Sequence, residues 1–188
     1  LLTSVGLALI IPLVPRVSSG WYLAIPLLIA GAGLGLLVSQ LNNYTLAPVD
    51  EERISEAAGV NSAAGSFGLS FGLAMAGGIM LAALSLSFTN MTQDSAEIPP
   101  AQQEQIATAL EDDAEIMSNS QLDALITDEP PEVEAAILEI NDDARNLSLQ
   151  VALAVPLLAA LIGLVNSLRM MRLPDLVPAV PLEGTDFG

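Results

Sequence analysis

Two amide side chains lie inside long apolar runs, where a polar group needs a partner. Gln40 falls late in an uncharged run over residues 21–43, and Asn61 falls early in another over residues 57–87. An amide donates and accepts hydrogen bonds, so either residue could bind the polar part of a substrate in an apolar wall. Either could instead hold helices together. Asn42 lies nearer a segment end, where we expect packing or an interfacial position.

Residue types that enzymes commonly use are missing or misplaced. The chain has no histidine and no cysteine, which leaves no imidazole base, no thiol nucleophile and neither the nitrogen nor the sulfur ligands of the usual zinc sites. No serine has a histidine to activate it. The apolar runs contain no acidic or basic residue at the depth where protons or bonds would be handled. We therefore expect no enzyme activity, no metal site and no cofactor.

Two segments resemble known ligand-binding motifs in composition but not in spacing. Residues 31–35 read Gly-Ala-Gly-Leu-Gly, but they lack the GxGxxG spacing and follow no strand, so they do not indicate nucleotide binding. Residues 111–115 read Glu-Asp-Asp-Ala-Glu, without the alternation and glycine of an EF-hand loop. A solvated acidic face is the expected structure there.

Four apolar segments must position the amides. Charged residues make up only 14% of the chain, against about 25% in a soluble domain. The segments cover about residues 1–14, 21–43, 57–87 and 147–168, and a membrane-spanning helix needs roughly 20 residues. The first segment is too short. Because no initiator methionine or charged segment precedes Leu1, we expect the chain to belong to a longer protein. The sequence predicts an all-α membrane protein with four transmembrane helices.

One acidic segment, residues 88–146, separates the third and fourth apolar runs. It holds 15 acidic residues and one arginine, a net charge of −14, which argues against a nucleic-acid partner. Its apolar spacing predicts short amphipathic helices in a small extracytoplasmic loop, one of them beginning at Pro130-Pro131. We expect residues 169–188 to form a disordered cytoplasmic tail. The three predicted amphipathic faces comprise Ile106, Leu110, Ala114 and Met117; Leu122, Leu125 and Ile126; and Val133, Ala136, Ile137 and Ile140.

Glycines recur at helical spacing on the second and third segments. Gly31 and Gly35 are four residues apart, and Gly65, Gly68 and Gly72 follow at steps of three and four. In a membrane, a stripe of small residues lets another helix approach closely. We therefore predict that these five glycines line helix-packing faces.

The order of these features resembles the C-terminal part of the major facilitator superfamily, most closely its fourteen-helix drug:proton antiporter branch. A glycine-rich helix, a polar connection, an alanine- and glycine-rich helix start, a long external loop and a short basic stretch follow one another as in that branch. The residues that carry the resemblance are 31–43, 56–64, Gly68, Gly72, Arg169 and Arg172. One departure is Gly65, where many members have an arginine.

The resemblance implies that the four segments are the last helices of a two-bundle secondary transporter that works by alternating access. It implies proton-coupled efflux of small amphipathic organic molecules or drugs, with a multi-pass position in the cell (plasma or inner) membrane and a cytoplasmic C-terminus. The expected partners are the lipid bilayer, the N-terminal helices of the same protein and a small-molecule substrate. Gln40 would then face the central cavity. The alternative is a non-transporting membrane module whose acidic loop recruits a basic partner.

Overall fold

The computed structural model describes residues 1–17, 19–112 and 130–172, and its regular structure is helical throughout these ranges. Short 3₁₀ turns precede α2 and α3. The prediction of an all-α fold is confirmed for this part of the chain. The described residues form the α-helices α1 (Leu2–Leu13), α2 (Ala24–Leu46), α3 (Ile54–Asp94), α4 (Pro100–Asp112) and α5 (Pro131–Met170).

Three helical segments are long and apolar enough to cross a bilayer: Gly20–Leu46, Glu51–Asp94 and Pro131–Met170. Only 11%, 6% and 11% of their most apolar 18-residue stretches are buried within the chain. Apolar surface left uncovered to this extent is unfavourable in water and suits a lipid environment. The three segments therefore suggest a membrane protein. The shorter apolar helix, Leu2–Arg16, leaves the predicted count of four spans open.

Helices α3 and α5 continue beyond their apolar segments. They contain 41 and 40 residues, or about 60 Å each at 1.5 Å per residue, twice the roughly 30 Å hydrocarbon core. The sequence predicted a short helix from Pro131 and a separate span from residue 147. Instead, one continuous helix begins at Pro131 and ends at Met170. The charged residues before the apolar run do not break the helix, and Glu132, Glu139 and Asp142 among them are exposed to solvent.

The other predicted short helices have different outcomes. Helix α4 corresponds to the first of them. The second, around Leu122, lies outside the described residues, as do residues 173–188 of the predicted tail. Residues 169 and 170 of that tail belong to α5.

A compact core forms where the end of α3, the following connection, α4 and the start of α5 meet. Ile98 of the connection is 1% exposed and Ile137 of α5 is 2% exposed. The Nε2 of Gln103 donates to the carbonyls of Ser95 and Ile98 at 3.2 and 3.0 Å, which fixes the connection against α4. We call this unit, formed by residues 84–112 and 130–144, the cap. Its core residues are Leu84, Phe88, Ile98, Val133, Ile137, Ile140 and Ala144.

Helix α1 packs against both α2 and α5. Its last turn lacks one backbone donor, because Pro15 has no N–H to offer the Ile11 carbonyl four residues earlier. The Nε2 of Gln150 on α5 donates to that carbonyl at 2.8 Å. A side chain 139 residues away thus satisfies a carbonyl that the proline leaves open, and it fixes α1 against α5.

Candidate functional site

An amide pair joins α2 to α3 near the turn that connects them. The Nδ2 of Asn61 donates to the Oδ1 of Asn42, with 2.6 Å between the two atoms. Asn42 lies about one turn before the end of α2, and Asn61 lies about two turns after the start of α3. The contact between α2 and α3 is small beside that between α3 and α5. A single hydrogen bond can therefore contribute a large part of what holds α2 and α3 together.

Gln40 is exposed and does not share this arrangement. It precedes Asn42 by two residues, which is about 200° around the helix, so it lies on a different side of α2. The structure brings Asn61 together with Asn42 and does not bring it together with Gln40. Sequence reasoning had assigned Asn42 to packing or the interface. Both asparagines lie within two turns of one short connection, and this feature of the sequence could have predicted their contact.

The predicted packing glycines of α3 lie on a surface that this chain leaves open. A Cβ atom built at Gly65, Gly68 or Gly72 would meet nothing within 4 Å. Nearby, the rings of Phe67 and Phe71 stack with their centroids 5.7 Å apart, and both side chains are exposed. No described helix fills this surface. Its packing against another helix stays a prediction.

The glycine run of α2 does pack within the chain, through Gly33. A Cβ atom at Gly33 would lie 2.5 Å from the backbone nitrogen of Thr3, and one at Gly6 would lie 2.5 Å from that of Ala30. Any side chain at either position would overlap the neighbouring backbone, so α1 and α2 approach closely there. Gly31 and Gly35, the predicted packing residues, meet nothing within 4 Å. Gly6 was not predicted, although it is the one glycine of the first segment.

The apolar stretches of the described helices offer hydrogen bonding rather than charge. Helix α3 has no ionisable side chain between Glu56 and Asp94, and α5 has none between Arg145 and Arg169. Among the residues with described positions, no group of three or more His, Cys, Asp or Glu could hold a metal ion. The polar side chains at this depth are amides and hydroxyls, which can bind and orient a polar group.

Comparisons with protein-family models, curated proteins and solved structures found no match to this chain. The resemblance to drug:proton antiporters therefore stays a prediction from the sequence pattern.

Proposed function

We propose that this chain is part of a secondary active transporter, not an enzyme, that exports small amphipathic organic molecules by alternating access. The observation that carries the proposal is that the apolar stretches of α2 and α3 are barely buried within the chain and carry uncharged polar side chains. Helix faces of this kind need another surface against them. In a two-bundle transporter of the cell membrane that surface is the other bundle, and the substrate path runs between the two.

The amides give the path its polar chemistry. A substrate that sheds its hydration shell recovers hydrogen bonds from amide donors and acceptors, which offsets part of its desolvation cost. In the described state the Asn61 amide donates to the Asn42 amide oxygen. Separating them costs about 0.6 to 2 kcal/mol, small enough for reversible opening during a transport cycle. A carboxylate that carries the coupled proton would lie on other helices of the same protein.

Transport by the full-length protein in proteoliposomes tests the proposal. With an imposed pH gradient, we expect efflux of a cationic amphiphilic dye, and Asn61→Ala should raise its KM several-fold without lowering the amount of protein in the membrane. Glu104→Gln, an exposed change on the cap, should leave transport unchanged. Gln40→Ala reports whether the opposite side of α2 also borders the path. Failure of the wild type to move any of a panel of amphiphiles would overturn the proposal.

A second candidate function rests on a cavity of about 320 Å³ in the cap, between α3 and α5. Its lining includes the carboxylates of Asp94, Glu97, Glu139 and Asp143. Such a surface could recruit a basic partner protein to the membrane. Capture of one partner by the full-length protein, with affinity that falls steeply as salt rises, would favour this function. Loss of that capture in Glu139→Gln, with transport absent throughout, would favour it over the transporter.

A further inference from the structure

A second cavity, of about 270 Å³, opens between α3 and α5 where the cap meets the apolar stretches. Its apolar lining comes from Met80 and Leu84 on α3 and from Leu149 on α5. Its polar lining comes from one stretch of α5, with Asp142, Arg145 and Asn146. The cavity therefore offers a carboxylate, a guanidinium and an amide beside an apolar wall.

The two parts of the lining are ordered along α5. Asp142 and Arg145 lie on the cap side of the helix, and Leu149 lies in the apolar run of residues 147–168. On α3, Met80 extends the apolar wall in the same direction. A ligand that fits this order has a polar head toward the cap and an apolar tail toward the membrane interior.

The cavity places opposite charges side by side in a strongly acidic part of the chain. Residues 88–146 contain 15 acids, and Arg145 is their one basic residue. Asp142 precedes Arg145 by three residues, so their side chains are neighbours on the helix surface. Asp142 already has an interaction within the chain, but a carboxylate has about four lone-pair sites and can accept further donors.

The backbone beneath this pair is well held. Ser148 is 3% exposed, and its hydroxyl donates to the Arg145 carbonyl at 2.9 Å. Ala144, next to Arg145, is fully buried in the cap core. The two charged groups therefore project from a packed helix, which lowers the entropic cost of binding a ligand.

We propose that this cavity binds the headgroup of a zwitterionic phospholipid that carries a primary ammonium. The phosphate would accept hydrogen bonds from Arg145 and Asn146, the ammonium would donate to Asp142, and the acyl chains would lie over Met80 and Leu149. A purely anionic lipid is disfavoured because residues 88–146 carry a net charge of −14. A simple cation can bind equally to many other carboxylates of residues 88–146, so it would not be specific for this cavity. Only a ligand with both charges requires this pair. The inference depends on the membrane position and not on transport.

Lipid binding to the purified full-length protein tests the proposal. Native mass spectrometry and the lipid-induced rise in Tm would compare phosphatidylethanolamine, phosphatidylcholine and phosphatidylglycerol. We expect phosphatidylethanolamine to bind the wild type about tenfold more tightly than the other two, the size of one charge-assisted hydrogen bond. Asp142→Asn should abolish the preference over phosphatidylcholine, and Arg145→Gln should weaken phosphatidylethanolamine binding about tenfold.

Two matched variants serve as controls. Asp143→Asn makes the same charge change on the adjacent residue, outside this cavity, and Arg169→Gln removes a cation at the far end of α5; both should bind like the wild type. Equal affinity of the wild type for the three lipids, which would mean unselective lipid contact, would overturn the proposal. So would an equal loss of preference in Asp143→Asn and Asp142→Asn. If either cavity variant melts early without lipid, the wild-type comparison alone decides.

Discussion

At the scale of single residues, the direction in which a side chain leaves its helix decides its partner. Gln40 and Asn42 are two positions apart on α2, and only Asn42 meets Asn61. Gly33 is likewise two positions from Gly31 and Gly35, and only Gly33 meets α1. The sequence identifies polar and small residues within apolar segments. It does not give the rotation of each helix about its axis, which tertiary packing sets.

The amide pair predicts energetic coupling between α2 and α3. Asn42→Ala and Asn61→Ala should each destabilise the protein, and the double variant should cost less than the sum of the two. The shortfall should be about 0.6 to 2 kcal/mol, the value of one interhelical hydrogen bond. Thermal unfolding in detergent measures the cycle, with Gln40→Ala in place of Asn42→Ala as the matched control. Additive costs for Asn42 and Asn61 would contradict the hydrogen bond.

The crossing of α1 and α2 predicts opposite effects of one substitution at neighbouring glycines. Gly33→Ala places a methyl group against the Thr3 backbone and should destabilise the protein by about 1 to 3 kcal/mol. Gly35→Ala has open space and should be neutral or stabilising by up to about 1 kcal/mol, because alanine favours helix. Tm in detergent distinguishes the two. Equal shifts would mean that α1 does not pack at Gly33.

At the scale of helices, the ends were harder to predict than the helices themselves. Charge at Glu132, Glu139 and Asp142 suggested a loop, yet these residues lie within α5 and point to solvent. The buried positions Val133, Ile137 and Ile140 keep one helical face. The pattern indicated a helix there and its start at Pro131. The pattern did not indicate that this helix continues into the apolar segment. Hydropathy shows where a helix leaves the lipid, and a helix can continue beyond that point.

The contact between α1 and α5 predicts that Pro15→Ala reduces the loss of stability caused by Gln150→Leu. Gln150→Leu removes the donor to the Ile11 carbonyl and should cost about 1 to 3 kcal/mol, since that carbonyl loses its partner. In a Pro15→Ala background, residue 15 regains an N–H that can bond the same carbonyl. The cost of Gln150→Leu should then fall. Unfolding free energies of the four proteins give the result, and an equal cost in both backgrounds would contradict the proline explanation.

The open face of α3 predicts damage to function without damage to this chain's own packing. A Cβ atom at Gly68 or Gly72 meets nothing within 4 Å among the described residues, so we expect Gly68→Leu and Gly72→Leu to act only if another helix covers the face. We expect each to lower transport by the full-length protein about tenfold, because leucine forces closely packed backbones apart. Ala159→Leu, on the exposed side of α5, should stay within about twofold. Equal tolerance at the three positions would show that the face packs against nothing.

At the scale of the whole molecule, burial divides the chain into a packed cap and sparsely covered apolar helices. The spacing of apolar residues within residues 88–146 predicted short helices, and over the described residues α4 and the cap core are helical. The position of this unit outside the membrane stays a prediction. The involvement of α3 was not predictable in the same way. Leu84 and Phe88 end an apolar run whose composition indicates a membrane span, and their burial in one cluster with Val133 and Ile137 assigns them to the cap core.

The transporter proposal requires α2, α3 and α5 to cross the bilayer, with the cap outside and the C-terminus inside. The chain has no cysteine, so a maleimide that labels an introduced cysteine does not react with any other thiol of this chain. Cysteines at Ser19, Asp50, Glu104 and Met171 would probe the connections and the end of α5 with a membrane-impermeant maleimide. We predict labelling of intact cells at Ser19 and Glu104, and labelling at Asp50 and Met171 only after permeabilisation. Labelling of Asp50 and Glu104 from the same side would contradict a membrane-spanning α3.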